Sequence, residues 1–282
     1  MLTENAWGLS ARDYELFRGL IYEKSGINLG PKKQQLLRAR LGKRLRGSQF
    51  SSFREYYEHV RRDASGAELC VLIDAISTNT THLFREKQHF DFLTRTLRGL
   101  LEDRRWRATN HNLRIWSAGC STGDEPYSLA MTVDHALAHS GLDWKILATD
   151  ISTRVLERAR RGLYELTRLG TVPADFRLRY FVPADGCDGT HMQVSPTLRK
   201  QITFAHFNLM TERFPFRHGF HCIFCRNVMI YFDRPTQEKL VARFAAQLRA
   251  AGYLVIGHSE SLNSIRHSLE YVQPTIYRKA DA

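Results

Sequence analysis

The sequence has no apolar run that approaches the roughly 20 residues needed to cross a bilayer as a helix. Its first ten residues include Glu4 and lack the basic start and apolar core of a secretory signal. Its five cysteines are an odd number and do not have the spacing of a disulfide framework. These absences argue against a membrane-spanning or disulfide-stapled protein, and they predict a protein of the reducing cytoplasm.

Internal repeats and low-complexity tracts are also absent. With 282 residues, of which 43% are hydrophobic, the chain is long enough for one large α/β domain and a smaller helical domain. The formal charge of +12 predicts an acidic partner, either nucleic acid or an acidic protein surface. The alternative is a basic exterior that meets only solvent.

Negative charge is missing from one long stretch, because no acidic residue occurs between Glu23 and Glu55. A helix that starts after Pro31 would place Leu37, Leu41 and Leu45 on one apolar face. Most of the basic side chains of this stretch avoid that face and predict a docking surface, although a solvated helix face is the alternative. The basic residues of this surface are Lys32, Lys33, Arg40, Lys43, Arg44 and Arg46.

Helical patterns frame this basic helix on both sides. Ser10 and Asp13 have the spacing of a helix cap, and an apolar helical face then continues to the break at Gly26. Further helices are predicted over residues 53–60, 67–76 and 90–101, and residues 104–112 are predicted to be an exposed connector.

Residues 114–131 predict a ligand site, because a short strand runs through a turn with Gly119 and Gly123 into a helix. No Lys-Ser/Thr pair follows the glycines, and the helix opens with Asp124 and Glu125, which would repel a diphosphate. Carboxylates suit hydroxyl or ammonium groups instead. The turn therefore predicts an adenosine-bearing ligand without phosphates, and S-adenosylmethionine fits that description.

Alternation of strands and helices continues after this turn and predicts a parallel, doubly wound sheet. The next strand, 145–150, ends in Asp150, which is placed either to accept ribose hydroxyls or to cap the helix that starts near Ser152. A hairpin or small sheet is expected between Phe181 and Ile202. The remaining predictions are a strand at 221–225, a helix at 235–250 ended by a C-cap at Gly252, and strands at 253–257 and 271–278.

Four stretches carry a more specific signal. They are Thr-Asn-Thr-Thr-His-Leu-Phe-Arg-Glu at 78–86, Ile-Trp-Ser-Ala-Gly-Cys-Ser-Thr-Gly-Asp-Glu-Pro-Tyr-Ser at 115–128, Ile-Phe-Cys-Arg-Asn-Val-Met-Ile-Tyr-Phe-Asp at 223–233 and Gly-His-Ser-Glu-Ser-Leu at 257–262. Together they resemble the CheR family of chemotaxis receptor methyltransferases. The resemblance implies an α/β fold with a class I, Rossmann-like S-adenosylmethionine-dependent methyltransferase sheet. It further implies an N-terminal all-helical docking domain (1–76), a linker that contributes to the cofactor site (77–112), and a methyltransferase domain (113–282). A small β-subdomain would be inserted at about 181–203.

The same resemblance implies a reaction and a set of site residues. S-adenosylmethionine would donate a methyl group to receptor glutamates, which gives glutamate methyl esters and S-adenosylhomocysteine. Arg85 and Tyr231 would lie at the reacting groups, and the acidic methylation helices of a receptor would dock at Arg40, Lys43 and Arg44. A pentapeptide tether on the receptor is used in some family members and stays open here. The implied cofactor contacts are Asn79, Thr81, Arg85, Glu125, Asp150, Asn208, Leu209, Arg226 and Asn227.

The chemistry is consistent with these residue types. A glutamate has a reference pKa of about 4.3 and is already an anionic nucleophile at neutral pH, so neither a general base nor a metal is required. Arg85 could orient the acceptor carboxylate. Two departures from the family pattern, Leu83 and Asp124, should not remove activity.

Simpler interpretations exist for several of these residues. Glu125 could be a first-turn carboxylate, Tyr231 a packing aromatic, and Arg226 a partner of Asp233. Asn79 and Thr81 could be capping residues.

A zinc-like spacing also occurs next to the motif at 223–233, but we predict no metal there. Cys222 and Cys225 fall in a strand expected to be buried, where side chains alternate between faces. The spacing involves His218, His221, Cys222 and Cys225.

Two other functions compete with the leading hypothesis. An RNA methyltransferase would suit the positive charge, but the Asn-Pro-Pro-Tyr type of motif is absent and Arg226-Asn-Val-Met stands in its place, so we predict no nucleic-acid partner. A regulator that binds S-adenosylmethionine without turnover is disfavoured by the presence of Arg85 and Tyr231.

Overall fold

The computed structural model describes residues 8–77, 79–109, 112–186 and 189–281, without the side chains of residues 105 and 109. Some residues with sequence predictions lie outside these ranges. They are Thr78, which starts the motif at 78–86, Cys187 of the expected insert, and the first seven residues of the N-terminal segment in which no secretory signal is predicted. Within them, no helix has the length and apolar character that crossing a membrane demands.

The N-terminal part is a four-helix domain built around its own apolar cluster. The Ser10 hydroxyl accepts the Asp13 N–H and caps the first helix as predicted, and Gly26 ends that helix at φ +73°. A single 3-10 turn, Pro31–Lys33, leads into the basic helix. The helices are α1 (Ala11–Ser25), α2 (Gln34–Leu45), α3 (Phe53–Arg62) and α4 (Ala67–Ile76).

Two of the three predicted docking residues on α2 make contacts inside this domain. Arg44 forms an ion pair with Glu68 of α4 at 2.6 Å. Arg40 donates to the carbonyl oxygens of Ile76 and Ser77, where α4 ends. The sequence around α2 contains no acid, but the fold brings one from 24 residues away. Lys43 is exposed.

The second domain contains a seven-stranded sheet in the order β6-β2-β1-β7-β8-β10-β9. The first five strands in that order are parallel, and β10 is antiparallel to both of its neighbours. The strands of this sheet are β1 (Asn112–Ala118), β2 (Asp143–Asp150), β6 (Ile202–His206), β7 (Phe220–Cys225), β8 (Leu248–Ile256), β9 (Glu270–Gln273) and β10 (Ile276–Arg278).

Helices cover both faces of the sheet, as the alternating pattern predicts. The helices are α5 (Gln88–Glu102), α6 (Arg104–Thr109), α7 (Asp124–Ala136), α8 (Thr153–Arg161), α9 (Ala174–Tyr180), α10 (Pro196–Arg199) and α11 (Arg234–Gln247). Apolar side chains of α5 and α7 pack in one cluster and those of α11 in another. Cys222 belongs to the first cluster and Cys225 to the second, so the two thiols lie on opposite faces of β7.

Trp116 of β1 is fully buried at the centre of the second cluster. Its indole N–H donates to the Thr149 hydroxyl on β2 at 2.9 Å. Its ring lies within 6 Å of five phenylalanine rings, whose residues are Phe207, Phe214, Phe216, Phe220 and Phe244. This aromatic cluster fixes the middle of the sheet below the glycine turn.

Four sequence predictions differ from the structure outside the site. The expected connector at 104–112 begins instead as α6, because the Asp103 carboxylate accepts the Trp106 N–H at its start. The helix α11 stops at Gln247, and Gly252 is not its C-cap but lies within β8. A Cβ at Gly252 would approach the Phe220 carbonyl oxygen at 3.1 Å, so the strand pairing explains this glycine.

At the C-terminus, the single strand expected at 271–278 is the hairpin β9 and β10, which turns at Thr275 with φ +66°. Thr275 is not a glycine or asparagine, so the turn carried little signal in the sequence.

The inserted subdomain is a three-stranded antiparallel sheet in the order β3-β5-β4. Its strands are β3 (Leu163–Glu165), β4 (Phe181–Pro183) and β5 (His191–Val194). The observed subdomain differs from the expected limits of 181–203 at both ends. Strand β3 directly follows α8 and precedes those limits, while Ile202 opens β6 of the main sheet.

Candidate functional site

A cavity lies at the carboxyl ends of the parallel strands, where the strand order changes direction between β1 and β7. All the predicted cofactor residues and Tyr231 line it, in agreement with their expected clustering. These residues are Asn79, Thr81, Arg85, Glu125, Asp150, Asn208, Leu209, Arg226, Asn227 and Tyr231.

The helical domain forms part of the wall of the cavity, which the sequence did not indicate. Ser25 is the last residue of α1, Ile27 and Leu29 come from the segment that follows it, and Leu36 comes from α2. The lining found among the described residues does not include the predicted docking residues Arg40, Lys43 and Arg44.

The glycine turn after β1 brings its backbone close to the loop that follows β7. Gly119 has φ +87°, and a Cβ there would overlap the Val228 side chain. The N–H groups of Gly119 and Cys120 both donate to the Thr149 carbonyl oxygen, at 2.8 and 2.9 Å. The turn is thereby fixed against the end of β2, beside Asp150.

Asp150 holds the same turn from its side chain. Its two carboxylate oxygens accept the N–H groups of Ser121 and Ser152, each at 2.9 Å. The cap of α8 is Ser152, whose hydroxyl accepts the Val155 N–H, so Asp150 is not that cap. Burial raises the pKa of Asp150, although the two N–H groups act in the opposite direction. A carboxylate oxygen has more than one lone pair, so Asp150 can still accept hydroxyl groups from a ligand.

Arg226 is the cation at the base of the cavity, and its side chain is only 2% exposed. Its guanidinium pairs with Glu125 of α7 and with Glu86 of the linker, both at 3.1 Å. Asp233 instead caps α11 and accepts the Tyr22 hydroxyl, so the alternative pairing with Arg226 is wrong. Glu86 also lies 3.9 Å from the Arg85 guanidinium, so two acids and two arginines form one ionic cluster at this end of the cavity.

The pKa values of the two carboxylates in this cluster are shifted in opposite directions. Burial raises the pKa of Glu125, although Arg226 and the Ser117 hydroxyl offset part of that rise. Burial would also raise the pKa of Glu86, but the charge and hydrogen bond of Arg226 outweigh it and hold that pKa below its usual range. Glu86 is therefore the more firmly ionised partner.

The linker makes a strained turn around Arg85, since Phe84 and Glu86 have φ of +55° and +58° without being glycine. The Phe84 N–H donates to the Ser128 hydroxyl at 2.9 Å, and the Arg226 guanidinium donates to the Arg85 carbonyl oxygen. These bonds hold the turn and leave the Arg85 side chain, 34% exposed, on the cavity wall.

The insert also supports this linker, and no sequence pattern predicts that contact. Arg168, which follows β3, pairs with the fully buried Asp124 at 2.7 Å and donates to the Thr81 carbonyl oxygen at 3.2 Å. The Thr171 hydroxyl donates to the Leu83 carbonyl oxygen at 2.8 Å. Asp124, one of the two departures from the family pattern, therefore anchors the insert to the start of α7.

Asn208 and Tyr231 connect the sheet to the helical domain. The Asn208 amide donates to the Lys24 carbonyl oxygen at 2.6 Å, and its oxygen accepts the Met210 N–H at 2.9 Å. The Tyr231 carbonyl oxygen accepts the Asn28 N–H at 2.8 Å. Both predicted site residues thus also hold the wall that α1 and its following segment provide.

Potential metal-ligand atoms converge, among the described residues, at Glu86, His89 and His258, within 4.8 Å of one another. The Glu86 oxygen that faces His89 also accepts from Arg226, so a cation there would lie beside a guanidinium and be repelled by it. Burial lowers the pKa of His89 to about 3, and Arg226 adds to that effect. His89 is therefore neutral, with its Nε2 bonded to the Thr275 hydroxyl at 2.7 Å.

Comparison with protein families places the chemistry of this site. Residues 79–278 match the family model described as the SAM-binding domain of CheR methyltransferase, and residues 12–77 match that of its all-alpha domain. With the strand order above, these matches define an S-adenosylmethionine-dependent methyltransferase of the class I fold. The chain belongs to the CheR methyltransferase family.

Relatives match along nearly the whole chain. The chemotaxis protein methyltransferase of Borreliella burgdorferi is 41% identical over 262 residues, which cover 92% of this chain and 91% of that protein. Chemotaxis protein methyltransferase 2 of Pseudomonas aeruginosa is 40% identical over 268 residues, covering 95% and 93%. The solved structure of S-adenosylmethionine-bound CalS10, an amino pentose methyltransferase from Micromonospora echinaspora, matches over 69% of this chain and 64% of that chain, with 12% identity and a TM-score of 0.34.

The cavity fits S-adenosylmethionine chemically. Glu125 and Asp150 offer acceptors for ammonium and hydroxyl groups, and Phe207 and Leu209 give an apolar wall for a base. Gly119 also lines the cavity, where it offers backbone without a side chain.

Replacing Arg226 with alanine should strongly destabilise the protein, because Glu86 and Glu125 would remain buried without a cation. We expect the free energy of unfolding at pH 7.5 to fall by ~3–5 kcal/mol in urea titrations followed by circular dichroism. In Arg266→Ala, which removes an ion pair whose arginine is 94% exposed, the loss should be about 1 kcal/mol or less.

A second substitution checks the cause of this loss. Glu86→Gln in the Arg226→Ala background should recover part of the lost stability, because one unpaired charge is removed. Equal losses for Arg226→Ala and Arg266→Ala would contradict a stabilising role for the cluster.

Proposed function

We propose that the chain transfers the methyl group of S-adenosylmethionine to glutamate side chains of chemoreceptor cytoplasmic domains. The product would be a glutamate methyl ester, and the role would be chemosensory adaptation. The observation that carries this proposal is the presence of Arg85 and Tyr231 on the cavity that holds the cofactor-type acids Glu125 and Asp150. The relatives named chemotaxis protein methyltransferase support the choice of acceptor.

Each cofactor residue has a role that its surroundings support. Glu125 would receive the ammonium group, because its carboxylate lines the cavity at the start of α7. Asp150 would receive the ribose hydroxyls, and Leu209 would pack on the base. Asn208 would border the base while it holds the wall, since its NH₂ group keeps a second N–H beyond the one bonded to the Lys24 carbonyl oxygen. The linker residues Asn79 and Thr81, with Arg226 and Asn227, would close the cavity.

When bound, S-adenosylmethionine supplies an electrophilic methyl group on a sulfonium. The acceptor glutamate is ionised at neutral pH, so the chain's residues need only align it and exclude water. Arg85 would orient the acceptor carboxylate, and Tyr231 would border the reacting atoms. Apolar residues from the helical domain, such as Ile27 and Leu36, would keep water away from them.

This mechanism uses no metal, and metal content gives a direct check. Elemental analysis of the purified protein should find less than about 0.1 zinc per chain, because Cys222 and Cys225 lie on opposite faces of β7 and cannot share one ion. Stoichiometric zinc would overturn the metal-free proposal.

The function is tested by offering the enzyme methyl-labelled S-adenosylmethionine together with receptor cytoplasmic domains and RNA. We expect label on the receptor that is released as methanol by mild base, which identifies a glutamate ester. Label on RNA would favour the nucleic-acid alternative, and cofactor binding without any transfer would favour a regulator.

Substituting Arg85 with alanine should separate binding from transfer. We expect the receptor methylation rate to fall at least tenfold, while calorimetric affinity for S-adenosylmethionine falls less, because the guanidinium mainly orients the acceptor. Arg85→Lys should be intermediate, since it keeps the charge but loses the planar fork. An unchanged methylation rate would remove Arg85 from the mechanism.

Receptor docking on the basic face of α2 needs variants that spare the internal contacts. Reversing Arg40 and Arg44 would also break their bonds to α4, so loss of activity would be ambiguous. Lys32, Lys43 and Arg46 are exposed on the same basic arc. Lys43 is the member of the predicted docking set that can meet a partner directly.

Reversing Lys32, Lys43 and Arg46 to glutamate should raise the KM for an acidic receptor at least tenfold at low salt, with cofactor affinity unchanged. The expected loss should shrink as salt rises, because exposed charges are screened. Reversing Arg61, Arg62 and Arg98, which are exposed outside α2, gives a control with the same change in net charge. Equal effects of the two triple changes would point to net charge and not to docking on α2.

The insert is the proposed place for a receptor tether. Leu163 and Val182 lie in register with Gln193 across the three strands and are 38% and 39% exposed. This apolar face and the open edges of a three-stranded sheet suit an added peptide strand. Removing the last five receptor residues should then raise the KM for the receptor, and an unchanged KM would exclude dependence on a tether.

A further inference from the structure

A buried carboxylate outside the cavity holds the loop that carries Asn227 and Tyr231. The Glu260 side chain follows β8, and the residue is 8% exposed. One of its oxygens accepts the N–H groups of Gly257 and Asn227, at 2.6 and 2.9 Å. The other accepts the Ile230 N–H at 3.3 Å. All three bonds use backbone groups, and two of them lie within the loop after β7.

The loop adopts a conformation that needs such support. Asn227 has φ +59°, a region that residues other than glycine adopt at a cost. The chain then continues into a 3-10 helix, Met229–Tyr231, whose last residue lines the cavity. A carboxylate that binds the loop near both ends of this short segment fixes its path.

Gly257 completes the socket for this loop. A Cβ at that position would lie 2.6 Å from the Asn227 side-chain nitrogen and 2.9 Å from its backbone nitrogen. The absence of a side chain therefore lets the loop approach the end of β8. Gly257 and Glu260 belong to the fourth motif of the sequence, which no cofactor or acceptor role had explained.

Burying the Glu260 carboxylate costs free energy, so stability alone does not account for a glutamate at this position. An ionised carboxylate that loses water must have its hydrogen bonds replaced, and here backbone N–H groups replace them. Burial raises the pKa of Glu260, although these N–H groups act against that rise. A glutamine could accept with its oxygen, but its NH₂ group would face the remaining N–H donor.

We propose that Glu260 is a positioning residue for methyl transfer, which sets Asn227 and Tyr231 relative to Arg85. This inference rests on the proposed function. Glu260 does not line the cavity formed by the described residues, so it would act through the loop and not on the reacting groups. Misplacement of a site residue by about 1 Å can lower a rate 100-fold without preventing binding.

The test compares wild type, Glu260→Gln and Glu260→Asp on the full chain with the receptor as acceptor. We expect Glu260→Gln to lower kcat at least tenfold while the receptor KM changes less than threefold. Glu260→Asp keeps two acceptor oxygens on a shorter side chain and should recover part of kcat. Hydrogen exchange at residues 227–231 should be faster in Glu260→Gln, while exchange in β1 and β2 stays as in wild type.

A destabilised control separates positioning from a general loss of stability. Leu97→Ala on α5 opens a cavity in the apolar cluster on the other side of the sheet from α11. For a similar drop in Tm, kcat of this control should stay within twofold of wild type at a temperature where both proteins are folded. If the control loses as much kcat as Glu260→Gln, or if exchange at 227–231 is unchanged, the positioning role is wrong.

The exchange measurement also distinguishes this inference from the proposed function. A wild-type protein that does not methylate the receptor would overturn the acceptor assignment. Exchange at 227–231 would still decide whether Glu260 holds the loop, because it requires no acceptor.

Discussion

The site depends on one buried guanidinium. Arg226 follows β7 and pairs with acids from two other segments, Glu86 in the linker and Glu125 in α7. It also binds the Arg85 carbonyl oxygen. A buried ion pair contributes little net stability by itself, but its geometry is strict because any unmatched charge is costly. The linker, the glycine turn and the loop after β7 therefore share one arrangement, in which a central cation joins two acids from separate segments.

A second constraint is that both domains line the cavity. The sheet provides the acids and the glycine turn, and the helical domain provides apolar wall from Ile27 to Leu36. Backbone bonds cross between them, such as that from Asn28 to Tyr231. The helical domain is therefore part of the reaction chamber as well as a candidate docking surface. A partner that shifts α1 or α2 would change the shape of the cavity itself.

The sequence predicted features that depend on neighbouring residues. It did not predict features that depend on residues far apart in the chain. The Ser10 cap, the glycine turn and the strand ending at Asp150 have short, regular signatures, and the structure has all of them. The pairs of Arg44 with Glu68 and of Asp124 with Arg168 join residues 24 and 44 positions apart, and no periodicity announces them. The family resemblance located the cavity residues but not what holds them. Those supports are mostly side-chain bonds to backbone, which leave no pattern in a single sequence.

The turn around Arg85 has a consequence for how the enzyme meets its ligands. Phe84 and Glu86 are held in left-handed conformations by bonds that lie within the protein. The free-energy cost of these left-handed conformations is therefore part of the folding free energy. Since bonds inside the protein shape this wall, little of a ligand's binding energy is needed to order it. Folding thus preorganises this side of the cavity.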